Sequence, residues 1–408
     1  MKILHLCDSL NPAGLGGYES YLHYLSEQLA VKHHESIVVT QAARHDSPKF
    51  VDHEFYRIYN LPGNLLEARK WEFFSLPENE RDAAAEEMFQ ADDLTLNVEA
   101  LEQQLSDLIQ SVEPDLIHAH SPYVVFNRVL EKIREQRDFK NLPMLATIHG
   151  RPKPLVLPGG ERTTDYDAFV EVCPFDLILA VSDNVSEVLK RYLDERGKSV
   201  AVQTLYLGVD LSVFHPLNNT PKQWDLAFLG RLESMKSVDL FPEMLALLKP
   251  DFPELRFLMT GEGSLKNLVF DEFQQRGVAD IVEYLGVVET ERVPVLLNQS
   301  SVFIYPSREE PFGLSILEAM ACETPVVTTN VFGPSEIITN NVDGLTVPPN
   351  DVRELVNAIG TLLTNDKLRS EIGRNARTTV EKRFDIKMHY DGLIQAYMQL
   401  IMAKQDRN

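Results

Sequence analysis

Short apolar runs bounded by turn residues alternate along this chain with segments whose apolar positions recur at helical spacing. "KILHLC" opens it as a buried parallel strand, cut off by Asp8. The loop "NPAGLGG" follows, and "YESYLHYLSEQLA" then sets Tyr21, Leu22, Leu25 and Leu29 at the spacing of one helical face. "SIVVT" supplies the next strand, so the opening reads strand, loop, helix, strand: the start of a doubly wound sheet. Further strands are predicted at 114–120, 143–149 and 176–182, with helices near 94–112, 123–136 and 183–195. Residues 60–93 are acidic, contain "ENERDAAAEEMF", and read as a helical insertion with no site attached.

The same rhythm restarts after residue 200. Strands are predicted at "SVAVQTLY", 225–230, 255–261, 281–286, 301–307 and 325–329, with helices between them. "VDGLTVPPND" gives a short strand and a stop before a helix from about Val352, and "RFDIKMHYDGLIQAYMQLIMA" is a long amphipathic helix. Tandem repeats and low-complexity tracts are absent from the sequence. The expected fold class is α/β, two doubly wound halves joined near residues 195–212. In such sheets ligands bind beyond the carboxyl ends of the strands, which directs attention to the loops there.

Composition narrows the classes of partner. The 408 residues carry 61 acidic and 39 basic side chains, a formal charge of -22, which opposes general affinity for nucleic acid or anionic lipid. Cys7, Cys173 and Cys322 are far apart, without the paired spacing of a disulfide framework or a zinc site. The apolar start is too short for a signal peptide and no stretch approaches a membrane span. A cytoplasmic protein is expected, with peripheral membrane contact left open and the oligomeric state unassigned.

Candidate chemistry sits in the predicted loops. Gly14, Gly16 and Gly17 precede the first helix, whose unpaired N–H groups suit an anion, although a plain tight turn fits equally well. His118 and His120 share a face at the end of one strand and His149 ends the next. Without an acid or cysteine at ligand spacing they favour a polar pocket wall over a metal site. Arg231 and Lys236 flank the first crossover of the second half, where a planar fork and a point charge could clamp one diphosphate. Gly261 and Gly263 around Glu262 allow close packing about a nucleotide or mark a mere turn. In "SREEPFGLSILEAMACETPVV", Pro311 holds Glu310 outside helical angles and Gly313 permits a tight entry to a helix from about Leu314 that contains Glu318. Two acids flanking a helix N-terminus fit a sugar nucleotide. They fit a surface glutamate and a salt-bridged one as well.

Taken in order, "GLGGYES", "PDLIHAHSP", "ATIHG", "LGVDLSVFHP", "FLGRLESMKSVDLF", "TGEGSL", "EEPFGLSILEA", "NVFGPSEII" and "DGLTVPP" resemble the retaining enzymes of glycosyltransferase family 4, over nearly the whole chain. The resemblance implies a GT-B fold: Rossmann-like domains at 1–198 and 199–384 facing across a cleft, with the helix of 385–408 crossing back to the first. It implies an acceptor site on the first domain and a nucleotide-sugar site on the second. Carried over by position, Arg231 and Lys236 neutralise the donor diphosphate, Glu318 holds the ribose, and Glu310 contacts the sugar beside the backbone of Phe312, Gly313 and Leu314. His120 lies near the reacting sugar, Gly16 and Gly17 near the phosphates, and Gly261 beside the nucleotide. No metal and no cofactor are implied beyond the nucleoside diphosphate sugar itself, with UDP-glucose or a similar hexose donor as the family's usual choice. The expected reaction moves a hexose, with retention, to a hydroxyl of a sugar, polysaccharide precursor or lipid-linked acceptor. A non-catalytic sugar-nucleotide binder and a GT-B epimerase or phosphorylase are the alternatives. Two positions depart from the pattern: Ser237 stands where a glycine often follows the lysine, and "FGPSEII" alters the segment containing Glu336.

Overall fold

Strands that read as unbroken apolar runs are buried on both faces, and they build two separate parallel sheets. The computed structural model describes residues 1–7, 17–41, 50–61, 84, 91–120, 124–156 and 162–405. The chain divides into two units. Unit 1 comprises Met1–Val181, Val185–Leu205 and Gly392–Asn408, and unit 2 comprises Ser182–Asn184 and Tyr206–Asp391.

Unit 1 begins β1 (Lys2–Leu6), α1 (Gly17–Val31), β2 (Glu35–Gln41), β3 (Phe50–Asp52) and β4 (Tyr56–Leu61). It continues through α2 (Ala91–Val112), β5 (Leu116–His120), α3 (Val124–Glu135), β6 (Met144–Ile148), β7 (Pro154–Val156) and β8 (Arg162–Thr164). Then come α4 (Asp165–Glu171), β9 (Leu177–Ala180), α5 (Asp183–Glu195) and β10 (Ala201–Thr204). The main sheet runs β10-β9-β6-β5-β1-β2-β4-β3, parallel except for the β3–β4 edge pair. Every residue of β5, β6 and β9 is buried, as expected where helices cover both faces of a parallel sheet.

Unit 2 repeats the plan with β11 (Trp224–Leu229), α6 (Phe241–Leu248), β12 (Phe257–Thr260), α7 (Lys266–Gln275), β13 (Val282–Tyr284), α8 (Val293–Asn298) and β14 (Ser300–Tyr305). α9 (Leu314–Ala321), β15 (Val326–Thr329), α10 (Phe332–Ile337), β16 (Leu345–Val347), α11 (Val352–Thr364) and α12 (Asp366–Arg383) complete it. Its six strands are all parallel, in the order β13-β12-β11-β14-β15-β16. In each sheet the strand order reverses beside the unit's opening strand, between β1 and β5 and between β11 and β14. Those reversals are where the loops diverge and leave room for a ligand.

The observed elements differ from the sequence expectation at identifiable places. "SVAVQTLY" does not open the second half. Its strand β10 pairs with β9, Ala201 opposite Leu177, so the first unit runs to Leu205 rather than to 198. Its alternation of exposed and half-buried positions marks an edge strand, which an apolar-run criterion assigns to neither sheet. The reverse failure hid β4, "YRIYNL", whose Arg57 and Asn60 interrupt the apolar pattern although it pairs fully with β2. Most of the acidic insertion, 62–83 and 85–90, lies outside the described residues.

The final helix, α13 (Ile386–Gln405), also divides later than 385. Its residues through Asp391 belong to unit 2 and those from Gly392 to unit 1. Its start is fixed by a bridge between Val209 and Asp385, with Ile386 N–H donating to Val209 O at 3.1 Å. Only glycine fits at Gly208, where a Cβ would lie 2.5 Å from Ile386 Cα. Among the described residues, no helix is long and apolar enough to cross a membrane.

Candidate active site

The reversal point of unit 2 gathers most of the charged residues singled out in the sequence. β11 and β14 end side by side, and the loops that leave their carboxyl ends are tied together by one arginine. Arg308 Nη1 donates to Ser234 O at 2.7 Å and to Asp239 Oδ1 at 2.6 Å. Its Nη2 donates to Asp239 Oδ2 at 2.7 Å and its Nε to Asn350 Oδ1 at 2.6 Å. A planar fork matched to both carboxylate oxygens has one low-energy orientation, so the two loops are held in register. Backbone bonding adds to this, Arg308 N–H reaching Met235 O at 2.9 Å.

That register brings Lys236 against Glu310. Their ammonium and carboxylate form an ion pair, and the residues are 7% and 8% exposed. The Lys236 Nζ also lies over the ring of Tyr305, 4.8 Å from its centroid. Burying both charges costs desolvation free energy, which the pairing and the ring face offset, and removal of either partner would strand the other.

Beyond Glu310 the chain turns sharply into α9. Gly313 takes φ 119°, a backbone conformation that side chains oppose. Gly333 of α10 lies against the loop, its N–H donating to Glu310 O at 3.0 Å, and a Cβ there would be 2.4 Å from Phe312 Cα. Phe312 is buried and stacks on Tyr206 at 5.8 Å between centroids. Leu314 opens α9, and Glu318 lies one turn inside it, where burial raises its carboxyl to about 7. Arg231 is exposed, with Nη2 3.6 Å from Met235 Sδ, and so has a guanidinium face open to a ligand. Gly261 answers a crowding need instead: at φ 108° a Cβ there would be 2.0 Å from Gly230 O. The neighbouring Glu262 accepts from Lys266 and from the Tyr284 hydroxyl, at 2.8 Å and 2.7 Å.

Unit 1 sets imidazoles at its own reversal point. His5 of β1 is in register with His118 of β5, and His120 lies two residues further along the same face. His5 Nδ1 and His120 Nε2 are 3.1 Å apart and share a hydrogen bond. His118 is bonded at both nitrogens, to the Tyr397 hydroxyl at 2.6 Å and to Thr147 Oγ1 at 2.7 Å. Ligand atoms of the three rings lie within 4.8 Å of one another. The cluster is buried, His118 at 0% and His120 at 2%, and is joined by these hydrogen bonds, although His5 Nε2 has no partner. Burial lowers the His5 pKa to about 3, and burial followed by the neighbouring imidazoles lowers that of His120 well below its usual value. His149 lies beyond them, its ring 6.1 Å from that of His120. Gly17 is the first residue of α1, whereas Gly14 and Gly16 lie outside the described residues.

Comparison with known proteins accords with this arrangement of paired sheets. Two family models match in tandem: Glycosyltransferase Family 4 over residues 15–213 and Glycosyl transferases group 1 over residues 213–379. The chain belongs to the family 4, group 1 glycosyltransferases. A glycogen synthase of Mycobacterium tuberculosis is 24% identical over 407 residues, covering 98% of this chain and 94% of the relative. Sucrose-phosphate synthase from Thermosynechococcus elongatus has a similar structure, with a TM-score of 0.77 at 21% identity over 98% of this chain and 99% of that one. Anabaena HepE in complex with UDP and glucose gives a TM-score of 0.69 at 19% identity, covering 98% and 100%. The likeness in fold is to enzymes of the GT-B class.

The structure of this glycosyltransferase accounts for both departures seen in its sequence. Ser237 adopts the left-handed conformation, φ 55° and ψ 31°, in which a glycine is unstrained. Its buried hydroxyl has no hydrogen-bond partner. Glu336 spends both carboxylate oxygens on backbone N–H groups of Asp183 and Asn184, each at 2.8 Å. Sequence reasoning missed Arg308, Tyr305 and His5. A cation two residues before Glu310 was a signal for the first, and an aromatic ending the strand for the second.

Two stability measurements test these assignments. Ser237→Gly should relieve both the strain and the unpaired hydroxyl, stabilising the glycosyltransferase by about 1 kcal/mol, or roughly 2–4 °C in Tm; an unchanged or lowered Tm refutes the strain. The imidazole cluster predicts acid sensitivity. His5 and His120 are neutral in the fold but take protons near pH 6.5 once unfolded, so the unfolded state binds more protons as pH falls. Their contribution is complete above about pH 6.5 and declines below it, by up to about 1.4 kcal/mol per pH unit for each ring. Calorimetry between pH 7 and 5 should show a falling Tm, and a flat profile would contradict the neutral assignment.

Proposed function

We propose that unit 2 binds a nucleoside diphosphate sugar and that the enzyme transfers its hexose, with retention, to a hydroxyl of a sugar, polysaccharide precursor or lipid-linked acceptor. The observation that carries this reading is the buried Lys236–Glu310 pair at the β11/β14 reversal, beside the α9 N-terminus and the exposed Arg231. Arg231 and Lys236 neutralise the diphosphate, assisted by backbone N–H groups at the α9 start beside Phe312, Gly313 and Leu314. Glu310 accepts hydrogen bonds from the sugar and Glu318 from the ribose. Gly261 shapes the nucleotide wall through the backbone of Gly230 that it admits.

Retention follows from attack on the face from which the nucleotide leaves. The bond from the anomeric carbon to the phosphate oxygen breaks, the bond to the acceptor oxygen forms, and the acceptor proton passes to the departing phosphate. The two cations stabilise that leaving group, which gives the reaction a route without a metal ion. UDP-glucose or a similar hexose donor is the assigned co-substrate, a choice supported by the UDP and glucose held in the HepE structure.

A thermal-shift screen across UDP, ADP, GDP and CDP sugars, followed by donor hydrolysis and transfer assays, tests the reading. A nucleotide sugar that stabilises the protein but is neither hydrolysed nor transferred would make it a binder instead. Arg231→Ala should lower kcat/KM about 100-fold, typical of losing one preorganised charge donor. Its Tm should stay near that of the wild type because the side chain is exposed. Near-normal turnover would remove Arg231 from the diphosphate.

Glu318 gives a pH signature. Its carboxyl, raised to about 7 by burial, must ionise to accept two ribose hydroxyls, so donor KM should rise as pH falls below about 7. The stability effect has the opposite direction. A carboxyl raised above its ordinary 4.5 contributes stability at low pH that is lost as pH rises through about 7. Glu318→Gln should therefore weaken donor binding yet raise Tm at pH 8 by roughly 2–4 °C, the equivalent of about 1 kcal/mol. A lowered Tm at that pH would contradict the raised Glu318 carboxyl.

A further inference from the structure

Arg231 and Lys236 stand on one loop, yet different parts of unit 2 hold them. Lys236 is fixed from the β14 side, by Glu310 and by the ties of Arg308. Arg231 is fixed from the other side, by the loop that leaves β12. The ladder of β11 and β12 closes with Leu229 opposite Thr260, but the pairing continues past both strand ends. Leu232 N–H donates to Glu262 O at 2.9 Å, and Leu265 N–H donates to Leu232 O at 2.9 Å. Two glycines permit that approach: a Cβ at Gly261 would lie 2.0 Å from Gly230 O, and one at Gly263 2.3 Å from Leu232 O. Leu232 is buried, and Arg231 beside it is turned out to solvent.

Glu233 completes the junction. Its Oε1 accepts from the Ser264 N–H at 2.9 Å and its Oε2 from the Ser264 hydroxyl at 2.6 Å, so one side chain grips both donors of one residue. Its carbonyl accepts from Lys236 N–H at 2.9 Å, closing the turn that carries the second cation. A carboxylate two residues from Arg231 could instead pair with that guanidinium, and it would also repel an arriving anion. Bonding both oxygens to Ser264 keeps the carboxylate on the β12 side and leaves the guanidinium to a ligand.

We propose that Glu233 is a positioning residue for Arg231: through Ser264 it locks the arginine-bearing arm onto the β12 loop, so that the guanidinium meets the donor diphosphate at a fixed place. The inference rests on the sugar-nucleotide reading of unit 2. Glu233 touches no reacting atom and acts only through Arg231. A charged donor loses much of its effect when its support can swing, since each encounter then costs reorganisation. Glu233→Gln keeps a carbonyl oxygen for the Ser264 N–H and an amide N–H for the hydroxyl oxygen, and so preserves both bonds without the charge. Glu233→Ala removes both bonds, and Ser264→Ala removes only that of the hydroxyl.

A double-mutant cycle separates this role from simple packing. It measures kcat/KM for hydrolysis of the glucose conjugate of whichever of UDP, ADP, GDP or CDP most stabilises the wild type. The proteins compared are the wild type, Glu233→Gln, Glu233→Ala, Arg231→Ala and the variant carrying both alanines. Glu233→Ala should lose about tenfold and Glu233→Gln no more than about threefold. The double variant should match Arg231→Ala within about twofold, because without the guanidinium nothing remains to be positioned. If Glu233→Ala does not fold by circular dichroism, Ser264→Ala takes its place in the cycle, with an expected loss of about fivefold that likewise vanishes without Arg231. Losses that multiply in the double variant overturn the inference, as does wild-type turnover by Glu233→Ala or a Gln variant as impaired as the alanine one. Near-normal turnover by Arg231→Ala removes the arginine from the diphosphate and this inference with it. A wild type that hydrolyses none of the four conjugates overturns the donor-site reading and this inference together.

Discussion

One buried ion pair, Lys236 with Glu310, is the constraint around which unit 2 is arranged. Such a pair gains little net stability, since desolvation consumes most of the attraction, but it tolerates very little displacement of either partner. The surrounding structure reflects that demand. Arg308 ties the lysine-bearing loop to the loop of Glu310, Gly313 takes a conformation that turns the chain at once into α9, and Gly333 allows α10 to press on Phe312. Each feature is inexpensive only for its own residue type. The pair itself is electrically neutral, so in a chain with a formal charge of -22 the positive charge beside it comes from the exposed Arg231.

Unit 1 uses the same architectural opening with different chemistry. Where unit 2 places ions at the reversal of its strand order, unit 1 places neutral imidazoles, linked to one another and to the hydroxyls of Thr147 and Tyr397. Neutral groups can be buried completely without a counter-ion, provided their hydrogen bonds are made. The imidazoles are fully buried although His5 Nε2 has no hydrogen-bond partner, while the ion pair retains a margin of exposure.

Much of this was legible in the sequence because parallel strands buried on both faces leave continuous apolar runs, which locate strand ends and hence the loops of interest. Glu310 and Glu318 could be separated by Pro311 and Gly313 alone, since those residues dictate where a helix begins. What remained illegible depends on pairing across distance. β4 carries too many polar residues to stand out, and β10 stands out as a strand whose sheet is fixed only by its partner β9. His5 looks like an ordinary interior residue until the register with His118 is known. Gly261 has a packing reason that sequence could not show, since the atom a Cβ there would meet belongs to the protein's own backbone at Gly230.

The division of α13 has a consequence for the order in which the molecule comes into being. Unit 1 is built from stretches on either side of unit 2 in the sequence, because Gly392–Asn408 belongs to it. Leu393 and Tyr397 of that segment are fully buried, and Tyr397 supplies the hydroxyl bonded to His118, 279 positions earlier. On the ribosome, domains fold from the N-terminus as units, but this one must wait until residues beyond unit 2 are made before its imidazole network can close. Unit 2 can finish first, although its coding segment begins second. Truncation before Tyr397 would thus injure unit 1, although the lost residues follow unit 2 in the sequence.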